Sequence, residues 1–174
     1  MREARSYTYD GPPEIRARVR PGRDGGVPIG SAADARRWLE GRDREERDEP
    51  FTYVVDLGGT LLLAPRRSEH VACAGGAPVL AAGEITFDGG AAVVAVTNQS
   101  TGYRPDPSCW PAVAAALDRA GLRRPGGFTD AFTFRRCAGC GQLNLVKDAF
   151  PGCAVCDADL PEPPDPPGGD GPDA

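Results

Sequence analysis

The sequence predicts an α+β fold: a small antiparallel β-rich domain with two helices, followed by a C-terminal module built around four cysteines. Three observations lead there. First, FTYVVDLGGTLLLA (51–64) and APVLAAGEITFDGGAAVVAVTN (77–98) each place apolar runs on either side of a Gly-Gly pair. Glycine supplies the positive φ that a tight hairpin turn needs, so each stretch reads as two antiparallel strands. Second, only two segments carry the spacing of an amphipathic helix, and 23 Gly and 18 Pro among 174 residues favour short strands and turns. Third, four of the six cysteines form two Cys-x-x-Cys pairs near the C-terminal end.

Along the chain, residues 1–30 form a weakly patterned segment. EIRARVR (14–20) alternates apolar and charged residues as a half-buried strand does, and PGRDGGVPIG (21–30) reads as turn and loop. Residues 31–130 form the α+β domain. In SAADARRWLEGRDREERDE (31–49), Ser31 is placed to cap a helix, Asp34 suits its dipole, and Ala35, Trp38 and Leu39 form the apolar stripe. From Gly41 onward a mixed charge run reads as a fraying end or a solvated connector. After the two hairpins, PSCWPAVAAALDRAG (107–121) is the second helix: Pro111 fits its first turn, Val113, Ala116 and Leu117 make its stripe, and Gly121 ends it. GFTDAFTFRRC (127–137) then reads as a strand leading into a metal module at 131–160. Residues 161–174, PEPPDPPGGDGPDA, offer no apolar anchor and are expected to be a disordered acidic tail.

Charge narrows the classes of function. The net charge is −5 and the pI about 4.9, which disfavours broad nucleic-acid affinity, since that needs a basic face to displace counterions. Six acids and no base fall between Asp157 and the end, leaving the rest close to neutral. A basic patch is conceivable at 101–136, where Arg104, Arg119, Arg123, Arg124, Arg135 and Arg136 face three aspartates; a solvated surface is the plainer reading. No apolar run reaches the roughly 18 residues of a membrane span, and the N-terminus lacks the apolar stretch of a secretory signal. The expected location is the cytoplasm, where a reducing environment favours metal ligation over disulfides for paired cysteines.

CAGCGQLNLVKDAFPGCAVC (137–156) is the most specific stretch. A tetrahedral zinc ion takes four thiolates at about 2.3 Å, and each Cys-x-x-Cys turn points two sulfurs to one side. Gly139 and Gly141 ease the first turn, and QLNLVKDAF (142–150) is the length of a short hairpin joining Cys137 and Cys140 to Cys153 and Cys156. The same ligand set suits a rubredoxin-type iron site, and a dithiol redox centre is a third use for such pairs. The spacing resembles the zinc-ribbon family, with Asp157 standing where a ribbon's second turn often has glycine. The resemblance implies a structural Zn2+ whose four positions are filled by sulfur, a closed site that stabilises and does not catalyse. Contacts to other molecules would then fall on its outer face, at residues such as Leu143, Leu145, Lys147 and Phe150. Cys73 and Cys109 read as buried thiols. A nucleophilic Cys73 beside His70 would require a helix there, and HVACAGG does not read as one.

RRSEHVACAGGAPVLAAGEI (66–85) and VTNQSTGYRP (96–105) hold the remaining polar candidates: His70, Glu84, Asn98, Ser100, Tyr103 and Arg104, with Gln99 and Thr101. Polar residues at strand ends on a rigid sheet are common in binding sites; they also serve simply to satisfy turn backbone. The two stretches resemble a domain of plant IQ-motif-containing, calmodulin-associated proteins and of bacterial relatives of unknown role. The matching residues are His70, Ala74-Gly75-Gly76, Ala81-Ala82-Gly83, Ser100, Tyr103 and Pro105. Val71 and Ala72 replace the family's serines, Gly102 replaces its second histidine, and no IQ motif is present. The resemblance implies shared fold rather than a defined activity.

No nucleophile elbow, phosphate-cradling loop, His-Glu-x-x-His or dinucleotide fingerprint occurs. The expectation is a cytoplasmic zinc-ribbon binding or regulatory protein with a protein partner. One alternative is a small-ligand binder or enzyme using His70, Glu84 and the 98–104 loop. The other is nucleic-acid binding through the ribbon by Arg135, Arg136 and Lys147, which the acidic balance disfavours.

Overall fold

The structure is a computed structural model that describes residues 4–146 and 152–161. The two Gly-Gly stretches fold as antiparallel hairpins: β2 (Phe51–Asp56) with β3 (Leu61–Ala64), and β4 (Val79–Phe87) with β5 (Val93–Val96). β2 and β4 pair with each other, Tyr53 opposite Gly83, and β1 (Val27–Ile29) joins β3. The result is a five-stranded antiparallel sheet in the order β1-β3-β2-β4-β5. Phe51 to Val55 of the central strand are all buried. Because successive side chains point to opposite faces, both faces of the sheet are covered at β2.

The turns differ in detail from the expectation. Only Gly59 of the first pair has a positive φ, +80°. In the second turn the left-handed residue is Ala91, φ +65°, rather than a glycine. There the Asp88 carboxylate accepts N–H bonds from Gly90 (2.8 Å) and Ala92 (2.9 Å), so a side chain organises the turn.

α1 (Pro13–Ala17) is helical where the alternating pattern predicted a strand. Ile15 and Val19, four residues apart, pack against the core while Ala17 is exposed, so the pattern that counts is i, i+4; the proline at its start has the fixed φ that begins a helix. The predicted 31–49 helix is two helices. α2 (Ala32–Glu40) begins at Ser31, whose hydroxyl accepts from Asp34 N at 3.1 Å, and buries Ala35, Trp38 and Leu39. α3 (Arg44–Arg47) restarts after Gly41 because Asp43 and Glu46 form a reciprocal capping box. His70–Cys73 forms a one-turn helix, α4, against the reading of HVACAGG as non-helical. Gly75 and Gly76, at φ +62° and +82°, close it: Gly76 N donates to Val71 O and Gly75 N to Ala72 O, the Schellman arrangement.

After the 3-10 turn Pro107–Cys109, α5 (Trp110–Arg119) buries Val113, Ala116 and Leu117, and Gly121 at φ +66° ends it as expected. The chain then runs beside β5, where Val93 N donates to Arg123 O and Thr129 N to Val96 O. These bonds occupy an edge that would otherwise stay open. β6 (Thr133–Arg136) and β7 (Leu143–Val146) form a separate two-stranded sheet with its own small core of Cys137, Val146, Cys153 and Leu160. No helix among the described residues is long and apolar enough to cross a membrane. Lys147, Phe150 and residues 162–174 of the predicted tail lie outside the described residues.

Candidate metal centre

The two Cys-x-x-Cys segments build the same turn twice. In the first, Gly141 N donates to Cys137 O (2.9 Å) and Cys137 N to Gln142 O (2.9 Å). In the second, Asp157 N donates to Cys153 O (3.0 Å) and Cys153 N to Ala158 O (2.8 Å). Asp157, at φ +60°, adopts the left-handed conformation of Gly141 at φ +76°. Aspartate tolerates that region better than most side chains, so the missing glycine leaves the turn intact. Arg136 closes the first turn by donating to Gly141 O at 3.0 Å.

Together the turns place all four sulfurs within 4.8 Å of one another. Cys137 and Cys156 are 3.5 Å apart, and Cys140 and Cys153 3.6 Å. A tetrahedron with bonds of about 2.3 Å has edges of ~3.8 Å, so the cluster is compact enough to close around a single ion. Cys137 and Cys153 are buried, and Cys140 and Cys156 are exposed. Amide donors stabilise the thiolates: those of Cys156 and Val155 pull Cys153 down to about 6, and those of Cys140 and Gly139 lower Cys137. At Cys156 the Ala158 N–H acts in the same direction, but crowding by the Cys137, Cys140 and Cys153 sulfurs prevails and holds that thiol at about 12. Four adjacent sulfurs become anions together only when a cation offsets their repulsion.

Asn144 is a candidate site residue that the sequence reading missed. It is buried on β7, accepts from Ala154 N (3.0 Å), and donates to Gln142 O (3.0 Å) and to Cys153 Sγ (3.5 Å). One amide thus ties the hairpin to the second turn and adds a donor to a ligand sulfur. Its only signal was a polar residue inside the apolar run LNLV. Groups that hydrogen-bond to a metal ligand typically contribute about 10–100-fold in metal affinity. Asn144→Ala is therefore expected to lower affinity in that range, read by competition with a chromogenic chelator.

The polar residues at the sheet end are engaged with backbone. His70 Nε2 lies 2.9 Å from Gly83 O, and since a carbonyl only accepts, the neutral ring carries its proton on Nε2. Asn98 donates to Pro105 O (2.9 Å) and Phe132 O (2.8 Å) and accepts from Phe132 N (2.8 Å). Ser100 Oγ accepts from Tyr103 N (3.4 Å), and Tyr103 is buried with its hydroxyl on Ala77 O at 2.7 Å. Arg104, buried at φ +49°, pairs with Asp10. Glu84, partly exposed, uses its backbone to pair with Thr97 and lies close enough to His70 for its carboxylate to oppose the histidine's pKa shift. The two polar stretches therefore meet in space, through Glu84–Thr97 and Tyr103–Ala77. Cavities of about 510, 340, 330 and 240 Å³ among the described residues are lined by other side chains.

Burial lowers the His70 pKa below its ordinary 6.5, against the opposing pull of the Gly83 carbonyl and of Glu84 and Glu69. The unfolded chain then binds the extra proton first, so this stabilisation is complete above 6.5 and is lost as pH falls towards the folded value. The melting-temperature difference between the parent chain and His70→Gln is expected to shrink between pH 7.5 and pH 5. A constant difference would contradict this assignment.

Cys73, although one helical turn from His70, is buried, held up at about 12 by that burial, and donates to Leu62 O at 3.7 Å. It is no thiolate at neutral pH. Cys109 is likewise buried and held at about 12. Of the arginines considered for nucleic acid, Arg135 is buried, Arg136 holds Gly141, Arg119 holds Gly58 and Gly59, and Arg124 pairs with Asp118 at 2.7 Å.

No family model, curated protein or solved structure matches this chain. The comparisons give no support to the resemblance to plant IQ-motif proteins, and backbone geometry accounts for the glycines on which it was based: Gly75 and Gly76 end α4, and Gly83 admits a neighbouring strand.

Proposed function

We propose that the chain is a cytoplasmic binding or regulatory protein in which Cys137, Cys140, Cys153 and Cys156 hold one structural Zn2+ in a zinc ribbon. The observation that carries this reading is the closed set of four sulfurs at tetrahedral spacing. With every position taken by thiolate, the ion has no place for water or substrate and serves to hold the turns together. Zinc fits better than a redox metal for a purely structural task, because it has one stable oxidation state. The hydrogen bonds that commit the residues around His70 to backbone support a binding role over acid–base chemistry. The ribbon's contribution to a partner surface would centre on exposed Leu145 and Val155.

Elemental analysis of the purified chain should give one zinc per molecule, and cobalt substitution should give the intense thiolate charge-transfer bands of a tetrahedral site. A metal-free preparation, or one whose cysteine pairs cycle between dithiol and disulfide, would falsify the structural-zinc reading. Capture of a protein partner that chelation releases tests the binding role. A chain that retains no partner with its metal loaded would argue against it.

A further inference from the structure

Two clefts, of about 330 and 240 Å³, flank the side chains of Trp38 and Arg42 at the end of α2. The Arg42 guanidinium carbon lies 4.3 Å from the Trp38 ring centre, a cation–π stack that forms the wall between them. The Trp38 Nε1–H and the Arg42 Nε–H are both buried, and neither meets an acceptor among the described residues. Buried donors without acceptors are uncommon and demand a reason, and here two occur in touching side chains.

The larger cleft also carries Arg23, which is exposed and forms no ion pair among the described residues, and Ser68. The nearby carboxylates are already engaged. Asp24 accepts from Arg20 N at 2.7 Å, and Asp34 accepts from Gly30 N at 3.0 Å and pairs with Arg37 at 3.2 Å. Arg42 reaches Glu46 only at 3.7 Å. In the cleft Arg23 has no ion pair among the described residues, Arg42 has only the 3.7 Å contact to Glu46, and the indole N–H has no acceptor.

We infer that this cleft binds an oxyanion, the carboxylate or phosphate group of a small ligand, between Arg23 and Arg42 with Trp38 Nε1–H as a third donor. A guanidinium presents a planar fork of N–H groups that matches two oxygens of such a group. Because the indole N–H is buried, an anion reaches it only if the Arg42 side chain shifts along the indole face. The site is separate from the four cysteines and makes no demand on the metal.

The zinc-loaded full-length chain is titrated with inorganic phosphate and, separately, with succinate, at constant ionic strength in chloride. The Trp38 indole N–H is followed by NMR, its resonance identified by its loss in Trp38→Phe. A saturable shift with either anion is expected. Stronger binding of phosphate assigns a phosphorylated ligand, and stronger binding of succinate assigns a carboxylate. Arg23→Ala and Arg42→Lys should each weaken binding about tenfold or more, because each removes one charged or bidentate partner.

Trp38→Phe supplies an opposite pair of effects. It removes an unpartnered buried donor while keeping an aromatic ring under Arg42 and against Phe51, so its melting temperature should equal or exceed that of the parent. Its anion binding, measured by calorimetry, should be weaker. No saturable shift with either anion overturns the proposal, as does an undiminished shift in the Arg23→Ala/Arg42→Lys double variant.

Discussion

Chelating any metal held by the four cysteines, or replacing Cys153 with serine, is expected to unfold residues 133–146 and 152–161 while the five-stranded sheet survives. The buried core around the cysteines comprises Cys137, Val146, Cys153 and Leu160, with Ala158 partly covered. Two of those four are candidate ligands, which leaves two buried aliphatic side chains among the described residues to order both turns and a two-stranded hairpin. Isolated two-stranded hairpins are marginal at best in water, and small modules of this kind rely on disulfides or metals. Structural zinc supplies ~10–16 kcal/mol in finger peptides, a term of the required size. The sheet has its own cluster, which includes Tyr7, Phe51, Tyr53, Leu61, Ile85 and Leu117, none of them shared with the metal module. The boundary should fall at Phe132, whose backbone N–H and C=O are both held by the Asn98 side chain. Hydrogen exchange tests this. With chelator, amides of β6, β7 and both cysteine turns should lose protection, while those of β2 and β4 keep it. Unchanged protection in the cysteine module would mean that no ion holds it. Loss across the whole chain would mean the two cores are not separate.

The elements legible in the sequence were those whose signal is carried by their own side chains. α2 and α5 showed full apolar stripes, the hairpins showed apolar runs around Gly-Gly, and the cysteine spacing defined both turns. α1 was misread because Ile15, Ala17 and Val19 alternate, yet only Ile15 and Val19 reach the core. α4 is one turn long, too short for any periodicity, and its signature lies past its end in Gly75-Gly76. The polar residues at the sheet end were legible as a group but not in their role. Tyr103 reaches a carbonyl 26 residues away and Asn98 one that is 34 away, and no local pattern encodes such pairings. Asn144 escaped notice for the same reason: its sulfur partner belongs to the opposite turn, nine residues on.

Gly83→Ala is expected to disrupt the main sheet severely. An ideal Cβ at residue 83 would stand 2.0 Å from Thr97 O, 2.7 Å from Thr97 C and 3.1 Å from the Asn98 Cα. All three are backbone atoms, so no flexible side chain can swing aside. Thr97 is also fixed from several directions: Tyr53 donates to its carbonyl at 2.7 Å, its N–H donates to Glu84 O, and its hydroxyl accepts from Glu84 N at 3.2 Å. Gly83 is equally constrained, opposite Tyr53 on β2 and with His70 on its carbonyl. Relief requires the end of β5 to lift off β4, which breaks these bonds and loosens the 98–105 loop that Asn98 ties to Phe132. Overpacking a core with one extra group costs about 1–3 kcal/mol where side chains can adjust; a clash confined to backbone should cost ~3 kcal/mol or more. Gly127→Ala is the matched control, because a Cβ there meets nothing within 4 Å. Urea denaturation should give a much lower midpoint for Gly83→Ala and one near the parent's for Gly127→Ala. Equal midpoints for the two would show that the strand end yields freely, and that the close approach of Thr97 to Gly83 is not what holds β5 and its loop in place.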